Sequence, residues 1–191
     1  MVRTYVATGN PRFKAQFQEI LDIRDGKARD GVTLPIGALR LIDQGKANAL
    51  VIDVKDDDGN VVYPSKVDLA DTIGARTLTT IPDLTALARS LHDRGLYAIA
   101  RIVTFKDNPL ATHRQDLAVR TGSAAYRDRE GMAWTDPFRR EVWRYNIAIA
   151  REAAEAGFDE VQFDYVRFPD STAPLQFAQP STAASRTEAV A

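Results

Sequence analysis

The chain contains no cysteine and only two histidines, and these absences exclude several kinds of functional site. Without a thiol among its 191 residues, the protein can form no disulfide, thiolate metal site or cysteine nucleophile. His92 and His113 are too few to build a multi-histidine metal centre. We therefore expect neither a metal ion nor another cofactor.

An excess of positive charge and a long apolar run are also missing. The 25 Lys and Arg residues are balanced by 26 Asp and Glu residues, which leaves a net charge of -1. Nucleic acid is not an expected partner, because proteins that neutralise its phosphates carry a positive field. No segment approaches the roughly 18 consecutive apolar residues of a membrane span. The start at Met1 lacks the order of a signal peptide, which favours the cytoplasm, with the cell envelope or secretion as alternatives if the natural chain begins earlier.

What the sequence does contain is the composition of a globular domain, with 45% hydrophobic and 27% charged residues. Four segments are rich in β-branched and aromatic residues, which favours buried strands. They lie at residues 2–7, 49–54, 97–104 and 160–166. Helical patterns separate them, and strands that alternate with helices predict an α/β fold with a parallel sheet.

Two helices can be placed from their apolar spacing and from the residues at their ends. Over residues 82–92, leucine and alanine side chains recur at helical spacing, and Gly95 provides the stop. Asp136 and Pro137 predict the N-cap and the first position of a second helix, which Gly157 ends.

The remaining segments are less regular. The first crossover, residues 11–46, shows two helical patterns around a charged loop at 25–31. Residues 170–182 have the composition of a loop, after which Ser185 and Glu188 have the spacing of a capping box that opens a helix. Three complete crossovers are too few for a closed eight-stranded barrel of about 250 residues, so an open sheet or half of a barrel is expected.

Functional side chains in a parallel sheet gather where the strands end at their carboxyl edge. Asp53 lies inside the apolar second strand, and Lys55 follows two residues on, on the same face of a regular strand. We interpret Lys55 as the group that holds Asp53 ionised and in place for a sugar hydroxyl or a catalytic water. A purely structural role for Asp53, in holding the neighbouring loop, is the alternative.

An acidic run at residues 56–58 follows directly on this strand. It has the beginning of a calcium-binding loop, but the required glutamate is missing because position 65 is Ser65. Gly59 and Asn60 complete the pattern of a tight turn between two extended pieces. A turn, and not a metal site, is therefore predicted.

Arg101 and Asp164 are the most informative polar residues of the third and fourth strands. Arg101 has apolar neighbours, and a buried arginine must be paired, for which Asp53 and Asp164 are the candidates. Asp164 lies near the carboxyl end of the fourth strand, with Gln162 beneath it and Arg167 just beyond. A carboxylate among aromatic side chains at a strand end is used in glycoside hydrolysis as acid, base or nucleophile. A structural ion pair with one of the two arginines is the alternative.

Aromatic side chains at strand ends and helix entries are candidates for stacking on sugar rings. They are Tyr5, Trp134, Tyr165 and Phe168. The near-zero net charge favours sugars over nucleic acids as the stacked partner. An apolar contact at the entry of the following helix is the alternative for Trp134.

Four blocks of the sequence resemble, in the same order, a bacterial family of glycoside hydrolase domains that was formerly a domain of unknown function. The blocks are residues 48–59, 100–107, 133–138 and 157–169, and the resemblance covers about residues 2–170. It implies an α/β fold of the parallel (β/α) barrel type found in amylase-like glycosidases, with the first four βα units in this chain. Residues 1–170 would then form a partial barrel, and residues 171–191 a loop and the start of a helix.

The resemblance also implies roles for individual residues. Asp164 matches the acidic position of the fourth-strand block and would be the catalytic nucleophile or general acid, with Arg101 and Arg167 setting its ionisation. In such barrels the second carboxylate comes from a later strand. Substrate contacts are expected from both arginines and from the following residues: Asp53, Lys55, Lys106, Trp134 and Gln162.

A glycoside hydrolase domain that acts on a bacterial poly- or oligosaccharide is the function implied by this resemblance. Because half a barrel would expose two open sheet edges, we expect the chain to be a fragment that associates with itself or with a complementary half. A glycan-binding module without catalysis and an inactive remnant are the alternatives.

Overall fold

The protein is described from a computed structural model that covers residues 41–42 and 44–190. The strand predicted at residues 2–7, with Tyr5, lies outside the described residues, as does most of the first crossover. Within the described ranges, none of the helices is both long enough and apolar enough to cross a bilayer.

The described elements alternate between strands and helices along the chain. In order, they are β1 (Ala49–Lys55), α1 (Asp68–Thr72), α2 (Leu84–His92), β2 (Tyr97–Val103), α3 (Asn108–His113), a 3-10 turn (Gln115–Leu117), β3 (Arg120–Thr121), β4 (Ala124–Ala125), α4 (Arg140–Glu155), β5 (Glu160–Asp164) and α5 (Ala183–Val190).

Three of the predicted strands form one parallel sheet in the order β1, β2, β5. The central strand places Arg101 beside Asp53 of β1 on one side and beside Gln162 of β5 on the other. Parallel pairing of strands that are separated by helices confirms the predicted α/β class with a parallel sheet. β3 and β4 form a separate two-stranded hairpin.

The core lies between the sheet and the helices that connect its strands. Leu50, Ile52, Ala100 and Ile102 of β1 and β2 are fully buried. The predicted helix at 82–92 is confirmed as α2, which buries its apolar face while the Asp83 side chain accepts the Ala86 N–H at 2.9 Å as N-cap.

The fourth helix begins later than its sequence pattern predicts. α4 starts at Arg140, because the buried Asp136 side chain accepts the Phe138 N–H at 3.0 Å and fixes a turn. The same carboxylate accepts the Ala178 N–H at 2.6 Å, so it also attaches the segment that follows β5. The predicted stop is correct, since Gly157 has a φ of 100° just after the end of α4.

The last helix begins earlier than predicted. α5 starts at Ala183, and its reciprocal capping pair is Thr182 with Ser185. The Thr182 hydroxyl accepts the Ser185 N–H at 3.1 Å, and the Ser185 hydroxyl accepts the Thr182 N–H at 2.9 Å. The predicted capping pair, Ser185 with Glu188, is therefore wrong, because the observed pair lies three residues earlier.

The tight turn predicted after β1 is confirmed. Asp56 accepts the N–H groups of Asp58 and Asn60 at 3.0 and 2.8 Å through one side-chain oxygen. Gly59 has a φ of 92°. A Cβ at this position would lie 2.7 Å from Oδ1 of Asp107 and 3.0 Å from its Cα, so the turn requires glycine for its conformation and for its space.

Replacement of Gly59 by alanine should lower the free energy of unfolding more than replacement of Gly74. Gly74 also has a positive φ of 67°, but its Cβ would meet nothing within 4 Å, so Gly74→Ala costs only backbone strain. Gly59→Ala adds overpacking against Asp107, which we expect to cost about 1–3 kcal/mol more. Urea unfolding of the two variants measures the difference, and equal losses would contradict the close approach.

Candidate functional site

Arg101 is the centre of a cluster of three carboxylates at the carboxyl ends of the strands. Its Nη1 lies 2.8 Å from Oδ1 of Asp53, and its Nη2 lies 2.9 Å from Oδ1 of Asp57. Oδ2 of Asp164 accepts from Nη2 at 2.6 Å and from Nε at 2.8 Å. The structure therefore brings both expected partners to Arg101 and adds a third, Asp57.

Among the described residues of this cluster, one guanidinium faces three carboxylates. Arg101 is only 4% exposed, and burial alone would lower its pKa. Its hydrogen bonds to the carboxylates outweigh burial and raise the pKa of Arg101 above its ordinary value. The arginine thus remains a fixed cation that orders the acidic side chains around it.

Asp164 is held at the point where β5 ends. Its Oδ1 accepts the N–H of the next residue, Tyr165, at 2.7 Å, while Arg101 holds Oδ2. Tyr165 has a φ of 53°, a left-handed conformation that costs a residue with a side chain about 1–3 kcal/mol. The predicted strand therefore ends at Asp164 and not at Val166. The Asp164 side chain remains 42% exposed.

An open cavity of about 590 Å³ lies in front of Asp164. Two of the three carboxylates of the cluster reach it, whereas Asp53 is 1% exposed and lies behind Arg101. The described residues that line it are Asp57, Arg101, Phe163, Asp164, Tyr165, Val166 and Arg167. A cavity with paired acidic groups and an aromatic wall can bind a polar ring such as a sugar.

Lys55 does not hold Asp53 in place, so the role predicted for Lys55 on β1 is corrected. A bulge in β1 places Asp53 opposite Arg101 but Lys55 opposite Ile102, so the two side chains point to different faces. The Lys55 ammonium is fully buried and lies 2.7 Å from Oδ2 of Asp107. It also donates to the Val103 carbonyl oxygen at 2.6 Å. Lys55 is thus a structural residue and does not line the cavity.

Asp107 is the partner of Lys55 that the sequence analysis did not identify. It is held by two interactions, the ion pair with Lys55 and a hydrogen bond to the start of α3. Burial raises the pKa of Asp107, and the neighbouring Lys55 ammonium opposes this shift. The other carboxylate oxygen of Asp107 caps α3 by accepting the Leu110 N–H at 3.0 Å. The sequence signal was the Asp-Asn-Pro order, in which an N-cap precedes a proline near the helix start.

Trp134 is not available for stacking on a sugar, which corrects a second expectation. The residue is 2% exposed, and its Nε1 donates to Oδ2 of Asp128 at 2.8 Å. The Arg167 guanidinium covers the ring at 5.0 Å from its centroid, and the Tyr165 ring packs against its edge. Trp134 is therefore a core residue that supports Tyr165. Phe168 is buried as well, against Phe138.

Arg167 and Gln162 are exposed residues on either side of Asp164. Arg167 donates to Asp170 at 3.0 Å and stacks on Trp134, and its described contacts do not include Asp164. Gln162 lies in register with Arg101 on β5. Arg167 lines the cavity, but the geometry does not make it a hydrogen-bond partner of the candidate carboxylate.

Lys106 borders a second, smaller cavity of about 130 Å³ next to the first. Its ammonium pairs with Glu130 and lies 5.3 Å from the centroid of the Tyr165 ring. Burial disfavours the charged form, but the hydrogen bond to Glu130 and the charges of nearby acidic groups together outweigh burial and raise the pKa of Lys106. Tyr165 and Arg167 line both cavities.

Asp57 is the residue of this site that sequence reasoning missed. The acidic run at 56–58 was a visible signal directly after a strand, and the turn explains the hydrogen bonds of Asp56. The pairing of Asp57 with Arg101, on the neighbouring strand, depends on a contact that no local pattern contains. The described part of the chain contains no group of three or more His, Cys, Asp or Glu side chains that could hold a metal ion.

Comparison with known proteins identifies the family to which the chain belongs. A family model described as "Putative glycosyl hydrolase domain" matches residues 32–191. The chain belongs to this family, which confirms the resemblance carried by the four sequence blocks. No curated protein sequence matches this chain.

Solved structures contain similar chains. A hypothetical protein from Ruminiclostridium thermocellum ATCC 27405 is 33% identical, with a TM-score of 0.71 over 83% of this chain and 83% of that chain. An α-galactosidase from Thermus thermophilus, in complex with p-nitrophenyl α-D-galactopyranoside, is 20% identical. That match has a TM-score of 0.46 over 75% of this chain and 28% of the other.

Removal of the Lys55 charge should strongly destabilise the fold. Lys55→Met leaves the Asp107 carboxylate buried without its cation, and we expect the free energy of unfolding to fall by about 3–5 kcal/mol near neutral pH. The loss should shrink as the pH falls, because a carboxyl whose pKa is raised in the fold takes up a proton and loses its charge. Urea unfolding at several pH values measures both effects.

The double variant Lys55→Met/Asp107→Asn provides the control for this pair. It removes both charges while the amide oxygen can still cap α3, so it should recover part of the loss. Additive losses of the two single substitutions would contradict the direct interaction.

The Asp128 carboxylate should contribute to acid sensitivity. Although burial opposes it, hydrogen bonds from Trp134 and from the N–H groups of Met132 and Glu130 lower the pKa of Asp128 below 3.8. The ionised Asp128 side chain therefore stabilises the fold at pH values above the ordinary pKa of an aspartate, and this contribution is lost as the pH falls through the lowered pKa. Asp128→Asn should flatten the decline of the urea midpoint at acidic pH, and an unchanged slope would contradict this assignment.

Proposed function

We propose that this chain is a glycoside hydrolase domain in which Asp164 is a catalytic carboxylate. The observation that carries the proposal is the position of Asp164, which is fixed by Arg101 and by the Tyr165 N–H yet is 42% exposed to a cavity of about 590 Å³. A catalytic carboxylate needs this combination, because it must be oriented before substrate arrives and must still reach the anomeric carbon or the glycosidic oxygen.

Family membership supports a carbohydrate as the substrate, and we propose a poly- or oligosaccharide. The cavity is open and lined by charged and aromatic groups, which suits one ring of a chain that extends beyond the site. Of the residues expected to bind substrate, we retain Arg101 and Arg167, which line the cavity with Asp164, Lys106, which borders the smaller cavity, and the exposed Gln162 on β5. Asp53 acts behind Arg101 as its fixed counter-ion.

The parallel sheet supports the proposal that residues 1–170 form part of a (β/α) barrel, with residues 171–191 following as a loop and helix. In such barrels, catalytic side chains come from the carboxyl ends of several strands and from the loops after them. Asp53, Arg101 and Asp164 occupy these positions on three consecutive members of the described sheet. The arrangement agrees with a substrate that lies across the carboxyl face.

Replacement of Asp164 by asparagine should abolish hydrolysis and leave the fold intact. Asparagine preserves the shape of the side chain but supplies neither a nucleophilic oxygen nor a proton of suitable acidity, so the rate should fall at least about 10²- to 10⁴-fold. The assay measures 4-nitrophenol released from α- and β-glycosides and reducing ends released from bacterial polysaccharides. Circular dichroism and the Tm report the fold.

Asp93→Asn is the matched control, because Asp93 is an exposed aspartate at the C-cap of α2, before β2 begins, and is not among the residues that line the cavity in front of Asp164. It should retain the activity of the parent chain. Saturable binding of the same sugars without turnover by the parent would contradict the hydrolase proposal and favour a glycan-binding module.

A further inference from the structure

We propose that Asp57 is the second catalytic carboxylate and acts as general acid and base with Asp164 as nucleophile. This assignment rests on the proposed function and goes beyond it, because it completes the catalytic pair within the described residues and specifies retention of anomeric configuration. The resemblance to barrel glycosidases implies instead a second carboxylate from a later strand.

The separation of the two carboxylates is limited by their shared partner. Oδ1 of Asp57 lies 2.9 Å and Oδ2 of Asp164 lies 2.6 Å from the same Nη2 of Arg101. The distance between the two oxygens can therefore not exceed the combined length of these two contacts, about 5.5 Å. That limit is about the 5–5.5 Å separation of retaining glycosidases and below the roughly 6.5–9.5 Å of inverting ones.

Both carboxylates line the same cavity, and they differ in exposure. The Asp164 side chain is 42% exposed, and the Asp57 side chain is 18% exposed. The more accessible carboxylate can reach the anomeric carbon, whereas the more shielded one is suited to exchange a proton with the leaving oxygen. Asp53 is only 1% exposed, so it is buried away from the cavity and contributes by positioning Arg101.

The loop that carries Asp57 is built to hold this residue in place. Asp56 closes the turn through the N–H groups of Asp58 and Asn60. Gly59 packs against Asp107, which the buried Lys55 ammonium fixes from the other side. Asp57 is therefore presented on a rigid support, as a positioned acid requires.

The two steps balance with water as the only added reactant. In the first, an Asp164 oxygen attacks the anomeric carbon, the bond to the glycosidic oxygen breaks, and that oxygen takes the proton of Asp57. In the second, water attacks the same carbon and gives a proton to the Asp57 carboxylate as the ester bond to Asp164 breaks. Both carboxyl groups return to their starting states, and two displacements at one carbon retain its configuration.

The experiment compares Asp57→Ala and Asp57→Asn with the parent chain on two classes of substrate. On oligosaccharides, whose leaving group needs a proton, both variants should lose about 10²- to 10⁴-fold in kcat/KM. On 2,4-dinitrophenyl glycosides, whose leaving group departs without one, the loss should be within about tenfold. Asp58→Ala is the control, because Asp58 is an exposed neighbour in the same turn, and it should leave both rates unchanged.

Azide then distinguishes the two carboxylates by the product formed. With Asp57→Ala, azide should accelerate turnover and give a glycosyl azide of the same anomeric configuration as the substrate. With Asp164→Ala, any glycosyl azide should have the opposite configuration, because the anion replaces the nucleophile in a single displacement. NMR of the anomeric proton reads the configuration, and Asp57→Asn tests the same role with the shape of the side chain preserved.

The outcomes separate this assignment from the proposed function. An active parent that needs Asp164, but inverts configuration or keeps full oligosaccharide activity in both Asp57 variants, overturns the assignment and leaves the function standing. A folded parent that hydrolyses none of these glycosides overturns both. Retention together with the leaving-group dependence and azide products described above supports the pair.

Discussion

One buried guanidinium, that of Arg101, determines how the strand ends are arranged. Three carboxylates from β1, the loop after it and β5 converge on this single cation. Without it they would repel one another in a site of reduced dielectric, and with it they are held in defined geometry. The acidic residues of the cavity therefore owe their positions to an arginine on the central strand, where both neighbouring strands can reach it.

The elements of the fold that the sequence predicted are those that depend on local patterns. β1, β2, β5 and α2 follow from apolar periodicity and from caps such as Asp83. α4 begins later than predicted because Asp136 bonds to Ala178 in a distant segment, whereas α5 begins earlier because Thr182 and Ser185 form a local cap. Propensity indicates that a helix exists, and tertiary hydrogen bonds decide where it begins.

The sequence allowed the strand-end residues of the candidate site to be predicted, but not the side-chain contacts between them. Asp53, Arg101 and Asp164 could be located because charged residues within apolar strands require partners. Lys55 was misassigned because a bulge breaks the alternation of β1, and Trp134 because its partner Asp128 lies in a loop without a periodic pattern. Asp57 could not be identified from the sequence, since its contact with Arg101 forms only when β1 and β2 lie side by side.

The close approach of Gly59 to Asp107 links the loops that follow β1 and β2. Because there is no space between them for even one methyl group, one loop cannot shift without displacing the other. Asp57 on the first loop and Lys106 beside Asp107 on the second are thus carried by one mechanical unit. A displacement of the first loop toward or away from Asp164 would therefore move Lys106 as well, so the cavity in front of Asp164 and the smaller cavity beside Lys106 would change shape together.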